Sequence, residues 1–497
     1  MPFRFPTVLT STVPMALSIF HPATPPDVRR AVRALLAVAA LCFAYAWLYG
    51  HLYSFRSNLG TGLPDVSTNA DVLTLGLRNL ALLTATWAFA LVAAATPGSA
   101  AALERLWGRA ANVMGRPSIA VVVAAVLAVG YALARVAVNA ENLPHALADY
   151  TAGTGRTPFQ YRALVPWTVR LAVAVVPPLG RSLWLPYGAA EALAAFGAWA
   201  AARRFLRPYL PDRPGERSAA AFGMFLLLGL NLALPFRHNA FFFPWDTLSV
   251  AFFTAGLALL RDRRWTAFYL LFSLATLNRE TTCFLTIALV LSEVGRMPLP
   301  RLAAHGAAQL AIWVALKALL LALYSQNTPL LGAGTSSLFV MPTLLNIGAV
   351  SGVPGLLVLS GAIGGLWLVP LLLASRVAEP GLRRLFRVVP VFLAGMLVVG
   401  EVLEVRVYSE LIPLVLAGLV MSIGSVVSEA RRAGRSADAA PTDALAPEGK
   451  NRPVDGPELP PSAVPRLLTA ARASRVARAR TRLQAADSPS HRDMAPI

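Results

Sequence analysis

Apolar residues dominate this chain in long runs separated by short basic clusters. A helix that crosses a membrane needs roughly 20 mostly apolar residues, so the runs read as spans. The first is Ala34–Tyr53, preceded by Arg29, Arg30 and Arg33. Arg accumulates in cytoplasmic connections, which puts the N-terminus inside and Ser54–Asp71 outside. Val72–Ala95 returns to Arg105, Arg109 and Arg116, and Ser118–Val138 goes out again. Asn139–Ser182 is then a long outer segment. Within it, Leu164–Val176 is short and carries Arg170, so it predicts an interfacial or re-entrant helix. Trp184–Ala202 comes back to Arg203, Arg204, Arg207, Arg213 and Arg217. Ala219–Leu234 goes out, Phe236–Asp246 turns, and Thr247–Leu260 returns to Arg261–Arg264.

Trp265–Val294 is too long for one ordinary span and carries Asn278-Arg279-Glu280-Thr281 at its middle. It reads as two half-helices meeting at that motif, or as one long helix bearing it. Leu302–Leu323, the outer loop Tyr324–Thr343 and the returning Leu344–Ala374 follow. Arg376, Arg383, Arg384 and Arg387 mark the inner side, and Val388–Leu403 and Leu411–Val427 complete the set. The expectation is an all-α polytopic bundle of about 12 spans over residues 34–427, both termini cytoplasmic. Residues 1–33 form an inner N-terminal segment. The tail 428–497 is rich in Pro, Ala, Arg and Asp and reads as disordered. Within it, Val464–Ala486 has the composition of a basic surface helix.

Composition sharpens this picture. Of 497 residues, 56% are hydrophobic and 14% charged, whereas soluble domains carry about 25% charged residues. The net charge of +19 follows from the basic inner loops, so nucleic acid is not an expected partner. Lysine occurs only at Lys317 and Lys450 among abundant Arg and Ala, a bias typical of a GC-rich bacterial genome. The bacterial inner membrane is the expected location, and no soluble partner is evident. Cys42 and Cys283 both lie in apolar runs, which argues against a disulfide framework.

Candidate chemistry lies where charges interrupt the runs. An ionisable residue at a helix centre costs roughly 2.5–3.5 kcal/mol on insertion scales, so those present act or pair. Asp246, after Phe243-Pro244-Trp245, suits either a helix N-cap or a carboxylate aimed into a polar cavity. Arg279 and Glu280 are adjacent and point in different directions on a helix. Arg279 suits a phosphate or a partner acid such as Glu404 or Glu410. In Glu401–Glu410, helical spacing would pair Arg406 with Glu410 and set Glu401, Glu404 and Tyr408 on another face. Tyr161, Arg162 and Arg170 add polar and cationic groups near the outer loop. Asp149, Glu141, Asp65 and Asp71 are the acids available in the outer loops. His145 and His238 do not make a metal pair.

The order Phe243-Pro244-Trp245-Asp246-Thr247, Arg261-Asp262-Arg263-Arg264-Trp265, Asn278-Arg279-Glu280-Thr281 resembles a pattern in integral-membrane glycosyltransferases of the C superfamily. Glu404-Val405-Arg406-Val407-Tyr408-Ser409-Glu410 is similar to a later segment in bacterial members. The resemblance spans roughly Asn139–Pro413, within a core of about 118–427. It implies an enzyme that takes a sugar from a polyprenyl-phosphate carrier on the outer face. Asp149 would be the base in the outer loop, with Asp246 and Glu280 as further catalytic acids. Tyr161, Arg162, Arg279, Glu404, Arg406 and Glu410 would bind the lipid-linked donor. It requires no cofactor and leaves a divalent cation open. Two rival readings remain: an ion-coupled transporter or lipid-linked sugar flippase, and a non-catalytic envelope-assembly scaffold.

Overall fold

The computed structural model describes residues 24–58, 67–139, 144–210, 213–232, 242–328, 340–400 and 404–438. The expectations for Glu141, His238, Glu401 and the tail helix 464–486 lie outside the described residues. Every regular element among the described residues is a helix. In chain order they begin with α1 (Pro26–Asn58), α2 (Ser67–Ala95), α3 (Pro97–Met114) and α4 (Pro117–Asn139). Next come α5 (Pro144–Ala152), α6 (Leu164–Val175), α7 (Trp184–Phe205), α8 (Pro214–Ala221) and α9 (Gly223–Leu232). Then follow α10 (Asp246–Arg261), α11 (Trp265–Asn278), α12 (Phe284–Glu293) and α13 (Leu299–Leu323). The last are α14 (Val340–Ser351), α15 (Val353–Ser360), α16 (Leu368–Leu372), α17 (Pro380–Leu385), α18 (Val388–Val399) and α19 (Ile412–Asp438).

Among the described residues, five helical segments are long and apolar enough to cross a membrane: Pro26–Leu48, Thr74–Ala95, Pro117–Ala137, Leu299–Leu323 and Val405–Ser436. Large apolar side chains such as Leu82, Val126, Leu193 and Leu270 lie exposed on the bundle. In water this surface would be unfavourable; in hydrocarbon it is the expected exterior. The chain is therefore a helical membrane protein.

Helix α4 shows how the sequence sets the packing. Ala120, Ala124, Ala128 and Ala132 recur every four residues and are all buried, while Val122, Val126 and Leu133 face outward. Small side chains allow close approach, and α4 lies against α7. The same buried face continues one turn further to Arg135, which is 0% exposed. Helix α7 in turn packs on α10, with Gly197 beside Ala251.

Several segments differ from the sequence expectation. Residues 97–114 are a helix rather than a plain basic connection. Pro97 opens it, and Leu103, Leu106, Trp107 and Val113 form an exposed stripe. The expected span Leu344–Ala374 is broken into α14, α15 and α16. Pro354, Gly361 and Pro370 punctuate it, and Ile363 and Gly364 adopt left-handed conformations at φ 53° and 61°. The segment Val405–Leu411 is a 3-10 helix. The α-helical spacing assumed for Glu404, Arg406 and Glu410 therefore does not apply, because a 3-10 helix has about three residues per turn.

The long run Trp265–Val294 is two half-helices. Helix α11 ends at Asn278, Arg279 is extended (φ −160°, ψ 143°), and a short 3-10 turn leads into α12. The buried Asn278 Nδ2 donates to Trp245 O at 2.9 Å and Ser249 Oγ at 3.0 Å, which fixes the break. Glu293 at the far end of α12 meets Arg263 of the α10–α11 turn at 2.5 Å, so α12 runs back the way α11 came.

Ion pairs also identify one end of the bundle. Arg204 pairs with Asp262, Arg376 with Asp27 and Glu429, and Arg431 with Glu104. The ends of α7, α10, α12 and α19 therefore gather with the start of α1 at a basic end. The start of α10, the α11–α12 break, the late part of α13 and the start of α19 gather at the opposite end.

Candidate functional site

The opposite end holds a buried charge network built from five segments. Asp246 is the first residue of α10, after the Phe243-Pro244-Trp245 turn, and is 0% exposed. It does not cap the helix: Trp245 holds the cap position. Asp246 faces three guanidinium groups, with Arg135 Nη2, Arg279 Nη1 and Arg406 Nη1 each at 3.4 Å. Its place in the first turn also sets the carboxylate against the positive end of the helix dipole.

Arg135 and Glu191 form a closer pair, at 2.7 Å, with neither side chain exposed. Thr247 Oγ1 accepts from Arg135 at 2.8 Å and donates to Glu191 Oε1 at 2.5 Å. The Tyr131 hydroxyl lies 3.0 Å from Thr247 Oγ1. On the other flank, Arg279 Nη1 lies 3.2 Å from Glu410 Oε1, and Thr281 Oγ1 donates to that oxygen at 2.6 Å. Arg406 Nη2 reaches Glu404 at 2.7 Å, and its guanidinium stacks over Phe243 at 3.9 Å. This buried network contains Arg135, Arg279 and Arg406 against Glu191, Asp246, Glu404 and Glu410, a formal surplus of one negative charge.

A second group forms the rim. Glu280 turns away from its neighbour Arg279. It accepts from Arg162 Nη2 at 2.6 Å, and Lys317 Nζ lies 3.6 Å from its other oxygen. The Glu280 side chain is 34% exposed, against 22% for Glu404 and 2% or less for Glu410, Glu191 and Asp246. Trp313 Nε1 donates to the Glu280 carbonyl at 3.0 Å, which fixes the backbone. Arg162 also sits over the Phe159 and Trp245 rings, 5.4 Å from each centroid. Its Nη1 is buried without a hydrogen-bond partner among the described residues. Two cations against one carboxylate leave this rim with a formal surplus of one positive charge.

The expected site residues are thus divided. Asp246, Arg279, Glu404, Arg406 and Glu410 join the buried network, and Arg162 and Glu280 form the rim with Lys317. Asp149 joins neither. On α5, Leu147 and Tyr150 face inward, so helical geometry turns Asp149 outward, where it is exposed and joins no ion pair among the described residues. Tyr150 instead packs edge-on to Trp245 at 5.2 Å between centroids. Tyr161 packs in the patch of Ala163, Leu320 and Tyr324 beside the rim. Arg279 pairs with Glu410, one of the two acids expected for it, whereas Arg406 meets Asp246 and Glu404 in place of the expected Glu410.

Sequence reasoning overlooked Arg135, Glu191 and Lys317 as site members. Arg135 and Glu191 are each a lone charge inside an apolar helix, and that isolation was the available signal. Among the described residues, no group of three or more His, Cys, Asp or Glu is placed to hold a metal ion. Cys42 and Cys283 are both free thiols. Comparison of the chain with protein-family models, curated proteins and solved structures produced no match.

Proposed function

We propose that this protein is a membrane-embedded glycosyltransferase that takes a sugar from a polyprenyl-phosphate carrier at the end of the bundle opposite the basic loops. The observation that carries this reading is the rim: Arg162 and Lys317 around the half-open Glu280 carboxylate, with one surplus positive charge. A sugar–phosphate–lipid diester carries one negative charge, so it matches that surplus. Arg162 donates to Glu280 from both Nε and Nη2, a fork that can bind two phosphate oxygens at once. The resemblance to C-superfamily glycosyltransferases supports the same reading.

In this mechanism the donor phosphate takes over the contacts that Arg162 and Lys317 make with Glu280. The freed carboxylate then loses its neutralising partners and becomes a better base. It accepts the proton of the acceptor hydroxyl. The acceptor oxygen forms its bond to the anomeric carbon as the bond from that carbon to the phosphate oxygen breaks. The electron pair stays on the phosphate, whose second negative charge is met by Arg162 and Lys317. Asp246, buried under three arginines, holds the guanidinium groups in place and does not touch the substrate. A Glu280 base takes the role that the resemblance assigns to Asp149.

The broken helices favour a second reading, an ion-coupled transporter or flippase, since discontinuous helices also build transport sites. The two separate in one experiment. Sealed vesicles receive a polyprenyl-phosphate donor with a labelled sugar. A transferase moves the label onto a second hydroxyl-bearing lipid or glycan. A flippase moves the intact donor between leaflets and leaves its phosphate–sugar bond whole, which would end the transferase reading. About twelve crossings, a bacterial inner membrane and two cytoplasmic termini complete the proposal.

A further inference from the structure

At the basic half of the bundle a groove of about 380 Å³ runs between the α15–α16 segment and α17–α18. Its walls include Ile363, Trp367, Phe386, Leu393, Tyr408 and Val415. The volume is that of a ligand site, well above a packing defect. Two cations, Arg383 and Arg387, line the groove and are exposed, one helical turn apart.

Those two arginines differ from others at the basic end. Arg204, Arg263, Arg376 and Arg431 each meet a carboxylate. Arg383 donates only to the carbonyl of Ala378, and Arg387 has no side-chain partner among the described residues. The nearby Glu379 is engaged elsewhere, accepting from the Leu382 amide. An apolar groove with two unmatched cations is complementary to a molecule with a hydrocarbon chain and an anionic head. The arginine-rich tail of this chain lacks that complementarity, because like charges would meet.

We propose that this groove binds one hydrocarbon chain of an anionic phospholipid from the leaflet at the basic end, with its phosphate on Arg383 and Arg387. Basic pockets between membrane helices recognise anionic headgroups in this way. The proposal does not depend on the transferase reading, and none of Arg162, Glu280 and Lys317 lines the groove. Its upper wall is Tyr408, in the same 3-10 segment as Arg406 and Glu410. Occupancy therefore packs the underside of the segment that carries the charge network.

Trp367 provides the readout, since its indole lines the groove. The full-length protein is reconstituted with phosphatidylglycerol or phosphatidylcholine brominated along one chain. The quenching assigned to Trp367 is the difference between wild type and Trp367→Phe. Each arginine near a charged headgroup is worth about a factor of five in affinity, so the pair gives roughly thirtyfold. Brominated phosphatidylglycerol is expected to half-quench Trp367 at roughly thirtyfold lower mole fraction than brominated phosphatidylcholine. Arg383→Gln with Arg387→Gln should bring the two lipids to parity. Ala374→Phe, which narrows the groove, should weaken quenching by both. Equal quenching by the two lipids in wild type, no quenching of Trp367, or a preference that survives the double arginine variant would each overturn the proposal.

Discussion

Replacing Glu191 with alanine removes one half of a fully buried ion pair. Arg135 and Glu191 are both fully buried and 2.7 Å apart. Among the described residues, the other acid that Arg135 meets is Asp246, at 3.4 Å, and Asp246 already serves Arg279 and Arg406 at the same distance. It has no spare charge to offer. Glu191→Ala should therefore show the full cost of stranding a buried cation, about 3–5 kcal/mol. Arg135→Met should cost a similar amount, because Glu191 would keep only Thr247 as a donor. Removing both charges together, as Arg135→Met with Glu191→Ala, should cost less than the sum of the two single changes, because no orphaned charge is left. The assay is unfolding in mixed detergent micelles across this double-mutant cycle. Independent sites add within about 0.5 kcal/mol. Additive costs in the cycle, or a loss under about 1 kcal/mol for Glu191→Ala, would refute the reasoning.

Other consequences follow from single contacts. Gly364 is left-handed at φ 61°, and a Cβ there would meet the Leu230 side chain at 3.0–3.3 Å; Gly364→Ala should lower unfolding stability by about 1–2 kcal/mol, and an unchanged midpoint would contradict the strained break. Phe243→Leu removes the ring 3.9 Å beneath Arg406; the expected loss is about 1–2 kcal/mol in the same assay, and an equal loss in an Arg406→Gln background would show that the cation plays no part. Single cysteines at Thr154 and Ser436 should label from opposite sides of a sealed vesicle with an impermeant maleimide, and labelling of both from one side would overturn the topology.

Much of the fold was legible because hydrophobic period and Pro/Gly punctuation are local. Asn278-Arg279-Glu280-Thr281 announced a break in an overlong apolar run, and the chain does reverse there. The three charged interruptions were visible for the same reason. Their partners were not, since pairing is set by packing between distant segments: Arg135 and Asp246 are 111 residues apart in sequence, and Arg162 and Glu280 are 118 apart. Assuming an α-helix at Glu404–Glu410 gave the wrong pairs, because tertiary contacts to Asp246 and Arg279 draw that segment into a tighter turn. The resemblance points to Asp149 in the Asn139–Ser182 loop, but the inward position on α5 belongs to its neighbour Tyr150. Leu344–Ala374 read as one span because its composition is uniformly apolar, and its glycines and prolines were given too little weight.

The most direct test of the account is transfer by Glu280→Gln in reconstituted vesicles, measured beside Asp149→Asn. The amide keeps the shape of Glu280 and its place between Arg162 and Lys317, but accepts no proton from the acceptor hydroxyl. The account predicts at least a hundredfold loss of turnover for Glu280→Gln, the usual scale for removing a general base. Donor binding and the unfolding midpoint should remain measurable, and Asp149→Asn should stay within about threefold of wild type, since its carboxylate joins no ion pair of the site. Wild-type turnover in Glu280→Gln, with loss in Asp149→Asn instead, would contradict it.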